Sequence, residues 1–209
     1  MSIDRKKLPP RTIERLSKYR RLLNRYSTNE EHFIFSHDLA RLLNLTSVQV
    51  RRDLMLVGIS GNHRRGYNVK ELIELIGKVI DTESGQNIAI IGMGNLGRAV
   101  TTFIRKNESK MNIVAGFDID SDKTDKLVSG VPCYHISAVS DKMKKLGIEI
   151  AVLTVPPDEV VELTKILVDS GIKGILNFTS IHLDVPKGIY LKNYDIITSL
   201  EEIGFFIKE

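Results

Sequence analysis

The sequence predicts an α/β protein in two parts: a small helical module carrying a hairpin, then a doubly wound parallel sheet. Three observations carry this. Apolar residues recur at helical spacing through the first eighty positions. From Asn87 onward, short β-branched runs alternate with helical stretches. The charge also changes sign. Residues 1–80 hold sixteen Lys and Arg against eight Asp and Glu, a balance of +8, and residues 81–209 hold −4, which together give the chain's +4. A basic front joined to a mildly acidic back points to modules with different partners.

The first helix spans Pro10 to Tyr26, with Ile13, Leu16, Tyr19, Leu22, Leu23 and Tyr26 on one side and arginines around them. Pro9-Pro10 suits a helix start. Ser36 precedes a short segment, Asp38–Leu43, closed by Asn44. Thr46 opens the next helix, with Gln49 three residues on in a capping-box pattern, and Gly58 ends it. Gly61 to Gly66 is a glycine-bracketed basic loop before Tyr67-Asn68-Val69, which reads as a hairpin. A fourth amphipathic helix covers about Lys70–Asp81. Thr82 to Gln86 has linker composition, so the expected domains are 1–80 and 86–196, with a terminal helix over 197–209.

Three helices followed by a hairpin is winged-helix order, the architecture of a DNA reader. Ser47, Gln49, Val50, Arg51 and Arg52 then lie on the recognition helix, where early positions meet base edges. Gln pairs bidentately with adenine and Arg with guanine. Arg52 suits a phosphate, which positions without specifying. Arg64 and Arg65 on the wing, beside Tyr67, suit a phosphate or a narrow minor groove. Asp53 is expected to organise a nearby arginine.

In the back half, strands are expected at Asn87–Ile91, Asn112–Phe117, Val131–Tyr134, Ile150–Val155 and Gly174–Asn177. Helices are expected at Gly97–Lys106, near Ser140–Leu146, and at Asp158–Ser170. The first strand runs into Gly92-Met93-Gly94-Asn95-Leu96-Gly97. This GxGxxG follows a strand and opens a helix, the context that makes it a Rossmann-like dinucleotide fingerprint. Gly92 makes the tight turn, Gly94 admits a pyrophosphate, and Gly97 lets helix and strand pack closely. The helix N-terminus supplies N–H groups to the phosphates. Asp118 ends the next strand, 26 residues after Gly92, against the usual ~20. Its carboxylate is expected to accept from both ribose hydroxyls and to repel a 2′-phosphate, favouring NAD(H). Asp120, two residues on, is a second candidate. Thr154, Val155 and Pro156, and separately Asn177, lie at strand carboxyl ends, where ligands sit in open sheets.

Composition excludes other classes. At 42% hydrophobic and 27% charged the chain is an ordinary globular protein. Its apolar runs are too short to span a bilayer. The basic start lacks the apolar segment of a signal peptide, so a cytoplasmic address is expected. The single cysteine, Cys133, allows no internal disulfide and no all-Cys zinc site. No catalytic or metal-ligating constellation is apparent. The tail from Ser199, with Glu202 completing a capping box, reads as one short apolar helix. It is too short to persist alone, so it docks on its own domain or on a partner subunit.

The chain resembles the redox-sensing transcriptional repressors of the Rex family over essentially its whole length. The likeness rests on Gln49-Val50-Arg51-Arg52-Asp53, Gly66-Tyr67-Asn68-Val69, Gly92–Ala99, Phe117-Asp118-Ile119-Asp120, Leu153-Thr154-Val155-Pro156 and Gly171–Phe178. The sheet part alone is also similar to the CoA-binding domain of succinyl-CoA synthetase. The resemblance implies a homodimer on a palindromic operator, released by NADH and permitted by NAD+. It implies a domain-swapped last helix whose Phe205 reaches the partner's nicotinamide pocket. It further implies a latch between Arg15 and Asp195. Two positions depart from the family pattern: His63 and Arg64 in the wing, and Phe103, where many members carry Tyr. Two other readings fit parts of the chain. One is a small NAD-dependent dehydrogenase, which lacks a second substrate domain and an evident proton donor. The other is a CoA- or nucleotide-responsive regulator.

Overall fold

The computed structural model describes residues 8–26, 32–62, 64–106 and 110–207. The chain divides into two compact units, Met1–Glu83 and Ser84–Glu209. His63 lies outside the described residues. Among those described, no helix is long and apolar enough to cross a membrane.

The first unit holds α1 (Pro10–Tyr26), β1 (Phe33–Ile34), α2 (Ser36–Leu43), α3 (Ser47–Leu56), β2 (Tyr67–Asn68) and α4 (Val69–Ile80). Local chemistry sets the helix ends. Asn44 takes the left-handed conformation that closes α2 (φ 54°). The Thr46 hydroxyl accepts from the Gln49 N–H to start α3, and the Asn68 side chain does the same for Glu71 in α4. Leu16, Tyr19 and Leu23 of α1 pack with Val50 and Leu54 of α3 and with Leu72 and Ile76 of α4. The wing is a hairpin closed by Asn62 and Gly66. Its second strand pairs with Phe33–Ile34, a two-residue strand too short to leave a period in the sequence.

One buried carboxylate ties α3 to α1. Asp53 accepts two bonds from Arg15 (2.6 and 2.7 Å), one from the Tyr19 hydroxyl (2.8 Å) and one from Thr12 (3.3 Å). Burial pushes its pKa up, but the hydrogen bonds from Arg15 and Tyr19 outweigh this and hold it below the ordinary aspartate value. The same contacts raise the pKa of Arg15.

The second unit is a seven-stranded sheet in the order β5-β6-β4-β3-β7-β8-β9. Its strands are β3 (Gln86–Ile91), β4 (Met111–Asp118), β5 (Lys126–Val128), β6 (Val131–His135), β7 (Ile148–Leu153), β8 (Gly174–Asn177) and β9 (Tyr190–Asn193). All pairs are parallel except β5 with β6. The helices are α5 (Asn95–Lys106), α6 (Val139–Lys145), α7 (Val160–Asp169) and α8 (Ile196–Phe206). Alternation along the strands feeds both faces. Ala89, Ile91, Phe117 and Leu153 pack with Val139 and Met143 of α6 and with Val160 and Leu167 of α7. Ile88, Ile90 and Val152 face the other way, with Val100 of α5 against them.

Three features depart from expectation. β5 joins β6 through Ser129-Gly130, both at positive φ, a two-residue turn of the type hairpins favour. β9 is a mixed, largely exposed edge strand with no apolar alternation. And α8 begins a turn before the Ser199 cap, because Asp195 accepts from the Thr198 N–H and hydroxyl (3.1 and 2.7 Å). Ser199 instead donates to the Asp195 carbonyl.

Asp53→Asn removes the buried charge that pairs with partly buried Arg15 and should destabilise the first unit by about 3 kcal/mol. Because the native pKa is depressed, the wild-type stabilisation is full above the unfolded value of about 3.9. It is lost as pH falls through the native value. Hydrogen exchange of α1 and α3 amides at pH 7 and pH 2 checks both. Equal protection in wild type and variant at pH 7 contradicts this account.

Candidate functional site

β3 has β4 on one side and β7 on the other, so its carboxyl end is the point where the sheet winds in both directions. That is where open α/β sheets hold ligands. Gly92 turns the chain there at φ 95°, and its N–H donates to the Phe117 carbonyl (2.8 Å). The Thr154 hydroxyl donates to the Gly92 carbonyl (2.8 Å). A Cβ on Gly97 would lie 2.0 Å from that same carbonyl, whereas a Cβ on Gly94 would meet nothing within 4 Å. Two glycines are therefore demanded by the protein's own packing. The third is demanded by nothing in the protein, and the open space above it is the cradle a pyrophosphate needs. The first intrahelical bond of α5 runs from Arg98 to Gly94 (3.0 Å). The N–H groups of Asn95, Leu96 and Gly97 precede it at the positive end of the helix. The residues present fit a dinucleotide.

A cavity of about 480 Å³ opens at this point, within the usual size of small-molecule sites. Gly92, Gly94, Asp118, Asp120, Thr154, Val155 and Pro156 all line it. Met93 contributes through its backbone: its N–H donates to Asp118 (2.8 Å), while its side chain is buried against Gly116. Asn177 does not line the cavity. It is fully buried, and its amide is committed to Ile181, Asn193 and Thr179, so it organises the loop after β8.

Sequence reasoning missed Lys123. Its ammonium lies 3.2 Å from Asp118 and 3.2 Å from Asp120, at the cavity wall. Burial lowers its pKa, but the hydrogen bonds to the two carboxylates outweigh this and raise it. Asp120 is held below the ordinary aspartate value by the Asp122 N–H and by Lys123. A basic residue three positions after the second of two spaced acids was the available signal. Asp118 also differs from expectation. A carboxylate offers about four acceptor sites, and three serve the Met93 N–H, the Asp120 N–H and Lys123. One remains for a ribose hydroxyl while Lys123 stays in place, not two. Cys133 is buried, its pKa pushed up to about 11 by burial and by the Asp118 charge.

In the first unit, α3 turns Val50, Asp53 and Leu54 inward. Val50 is thus a core residue and not a base contact. The outward stripe is Val48, Arg51, Arg52 and Met55, with Ser47 and Gln49 partly exposed beside it. Val48 was not anticipated. An exposed aliphatic side chain among cations suits a thymine methyl. Arg51 donates to Ser36 (3.1 Å), beside a cleft of about 390 Å³ that Tyr67 and the wing also line. The Arg64 and Arg65 N–H groups both donate to the Asn62 side chain, which shapes the exposed wing tip.

The residues expected to latch have partners within their own units. Arg15 is paired with Asp53, and Asp195 caps α8. Phe103 lies on the exposed side of α5. Phe205 lies on α8, which has no buried residue; Ile197, Leu200, Phe205 and Phe206 are each more than half exposed.

Two family models match: "CoA binding domain" over residues 83–181 and "Putative DNA-binding protein N-terminus" over residues 7–54. The chain is 35% identical to the redox-sensing transcriptional repressor Rex of Streptococcus uberis, over 100% of this chain and 99% of that one. It is 36% identical to the protein of the same name from Leuconostoc citreum, over 96% and 93%. The chain belongs to the Rex family. Its fold is also that of RSP, a Rex-family repressor, at 31% identity and a TM-score of 0.85 over 96% of this chain and 95% of RSP. RSP has further been solved with β-NAD+ and operator DNA (TM-score 0.87) and with β-NADH (TM-score 0.82).

Gly97→Ala gains about 1 kcal/mol of helix propensity, but its Cβ must displace backbone at Gly92, which costs more. Thermal unfolding of the full chain should show a loss of about 1–3 kcal/mol. Gly94→Ala should stay within about 0.5 kcal/mol of wild type. Equal effects at both positions would contradict the cradle.

Proposed function

We propose that this Rex-family chain is a cytoplasmic transcriptional repressor that binds operator DNA as a homodimer. NADH binding releases it, so it reports the NADH/NAD+ ratio. The observation that carries this reading is the open cradle above Gly94 at the carboxyl end of β3, on the same chain as a basic recognition face. The dinucleotide supplies only its redox state. The protein supplies the differential contact that reads it.

Gly92, Gly94 and the first turn of α5 hold the pyrophosphate by backbone N–H groups. Asp118 takes a hydroxyl of the adenosine ribose. Thr154, Val155 and Pro156 form the rim, and Leu96 of α5 flanks it. On the DNA side, Ser47, Gln49 and Arg51 read base edges, while Arg52, Arg64 and Arg65 engage phosphates and Tyr67 packs under the wing. The apolar surface of α8 supports a second copy as its cover: a solvated helix this apolar is not stable alone. Phe205 then meets the nicotinamide end of the partner's site. The reduced ring is uncharged and packs against an aromatic, whereas the oxidised ring is cationic. A ring bound identically in both dimer arrangements switches nothing. Arg15 and Asp195 would form the latch once the pair with Asp53 gives way.

Operator binding at fixed salt, across NADH/NAD+ ratios, tests this. NADH should weaken the wild-type complex by ~100-fold, a coupling of ~2.7 kcal/mol, and NAD+ should not. Phe205→Ala should keep operator affinity and lose most of the NADH effect. No effect of NADH on wild type overturns the reading. Full release of the variant removes Phe205 from the mechanism.

A further inference from the structure

The cavity carries one charged arrangement beyond the glycine cradle. Lys123 sits between two carboxylates, equidistant from Asp118 and Asp120 at 3.2 Å. The side chain of Asp118 is nearly buried (8% exposed), that of Lys123 is 29% exposed and that of Asp120 42%. Glu159 is the third acid on the cavity wall, and Lys123 is the one cation among the residues that line it. A dinucleotide brings two phosphate charges of its own. A wall with three acids and no cation would oppose it, so Lys123 offsets part of that field.

The position of Lys123 matters more than its charge count. Asp118 ends the strand beside β3, where Rossmann-like sheets meet the adenosine ribose. An ammonium at that end is also the group that would receive a phosphate on the ribose 2′ oxygen. Such a phosphate carries between one and two negative charges at neutral pH. In the wild-type chain the ammonium is already shared by two carboxylates, which would repel the phosphate. We infer that Lys123 is a masked receptor for a ribose 2′-phosphate, kept from that ligand by Asp118 and Asp120. The inference rests on the dinucleotide reading and extends it. Selectivity against the phosphorylated cofactor comes from occupation of the cation as well as from repulsion by the acids. Removing the acids then does two things: it relieves repulsion and it frees a point charge for phosphate.

The carboxamide oxygen of Asn can still accept the Met93 N–H that Asp118 now takes, while the Asp120 N–H loses its acceptor, so Asp118→Asn keeps the contact to the glycine loop and gives up the one to its own turn. The test is equilibrium binding of NADH and NADPH, read by nicotinamide fluorescence, to the full chain and three variants. Wild type should prefer NADH by more than about tenfold. Asp118→Asn/Asp120→Asn should tighten NADPH by about tenfold or more, the size of a gained charge-assisted contact. Adding Lys123→Met to that pair should remove the gain. Asp120→Asn alone changes a more exposed side chain and should move NADPH in the same direction by less, which keeps the test open if the double variant does not fold. Unchanged NADPH affinity in the folded acid variants overturns the inference, and so does a gain that survives Lys123→Met. In either case NADH still binds wild type and the dinucleotide reading stands. If wild type binds neither nucleotide, that reading falls and takes the inference with it.

Discussion

The carbonyl oxygen of Gly92 is the point on which the second unit turns. It accepts the Thr154 hydroxyl, and the α-carbon of Gly97 packs so close that a methyl group would sit 2.0 Å away. Those two contacts bring the end of β7 and the first turn of α5 to the end of β3. Every other feature of the cavity follows. The N-terminus of α5 is aimed across the crevice, Gly94 is left over open space, and Thr154 is fixed at the rim. On the opposite rim Asp118 holds the Met93 N–H, so the loop between strand and helix is pinned from both neighbouring strands.

The first unit is built around a comparable fixed point, a buried carboxylate. Asp53 faces inward from α3 and meets Thr12, Arg15 and Tyr19 of α1. Turning Asp53 in turns Val48, Arg51, Arg52 and Met55 out. The exposed face of α3 is thus set by an ion pair on its far side. This pair also engages the arginine that the family resemblance assigns to a latch. The exposed and the buried faces of α3 are thus fixed together through one short helix.

Much of this was legible in the sequence because it rests on local rules. The caps at Thr46 and Asn44, the glycine spacing and the alternation in β3 each encode their own structure. Asp53 was expected to organise an arginine, and it does, though the partner comes from α1, thirty-eight positions earlier. What the sequence concealed depends on contacts between distant segments. Val50 looked like a candidate reader until packing placed it in the core. Asn177 sits at a strand end, as a ligand contact would, but its amide is consumed by the loop it folds. β1 and β9 are too short or too polar to announce themselves. Lys123 lies in a turn with no apolar period, and its role depends on two carboxylates converging on it.

In the proposed function, one chain couples a dinucleotide crevice to a DNA-reading face. Coupling between binding sites is reciprocal. The most direct measurement is therefore the NADH dissociation constant of the full chain with and without saturating operator DNA, at one salt concentration, since counterion release alone shifts DNA affinity. Operator should weaken NADH by the same factor by which NADH weakens operator. An NADH affinity unaffected by operator would contradict the coupling.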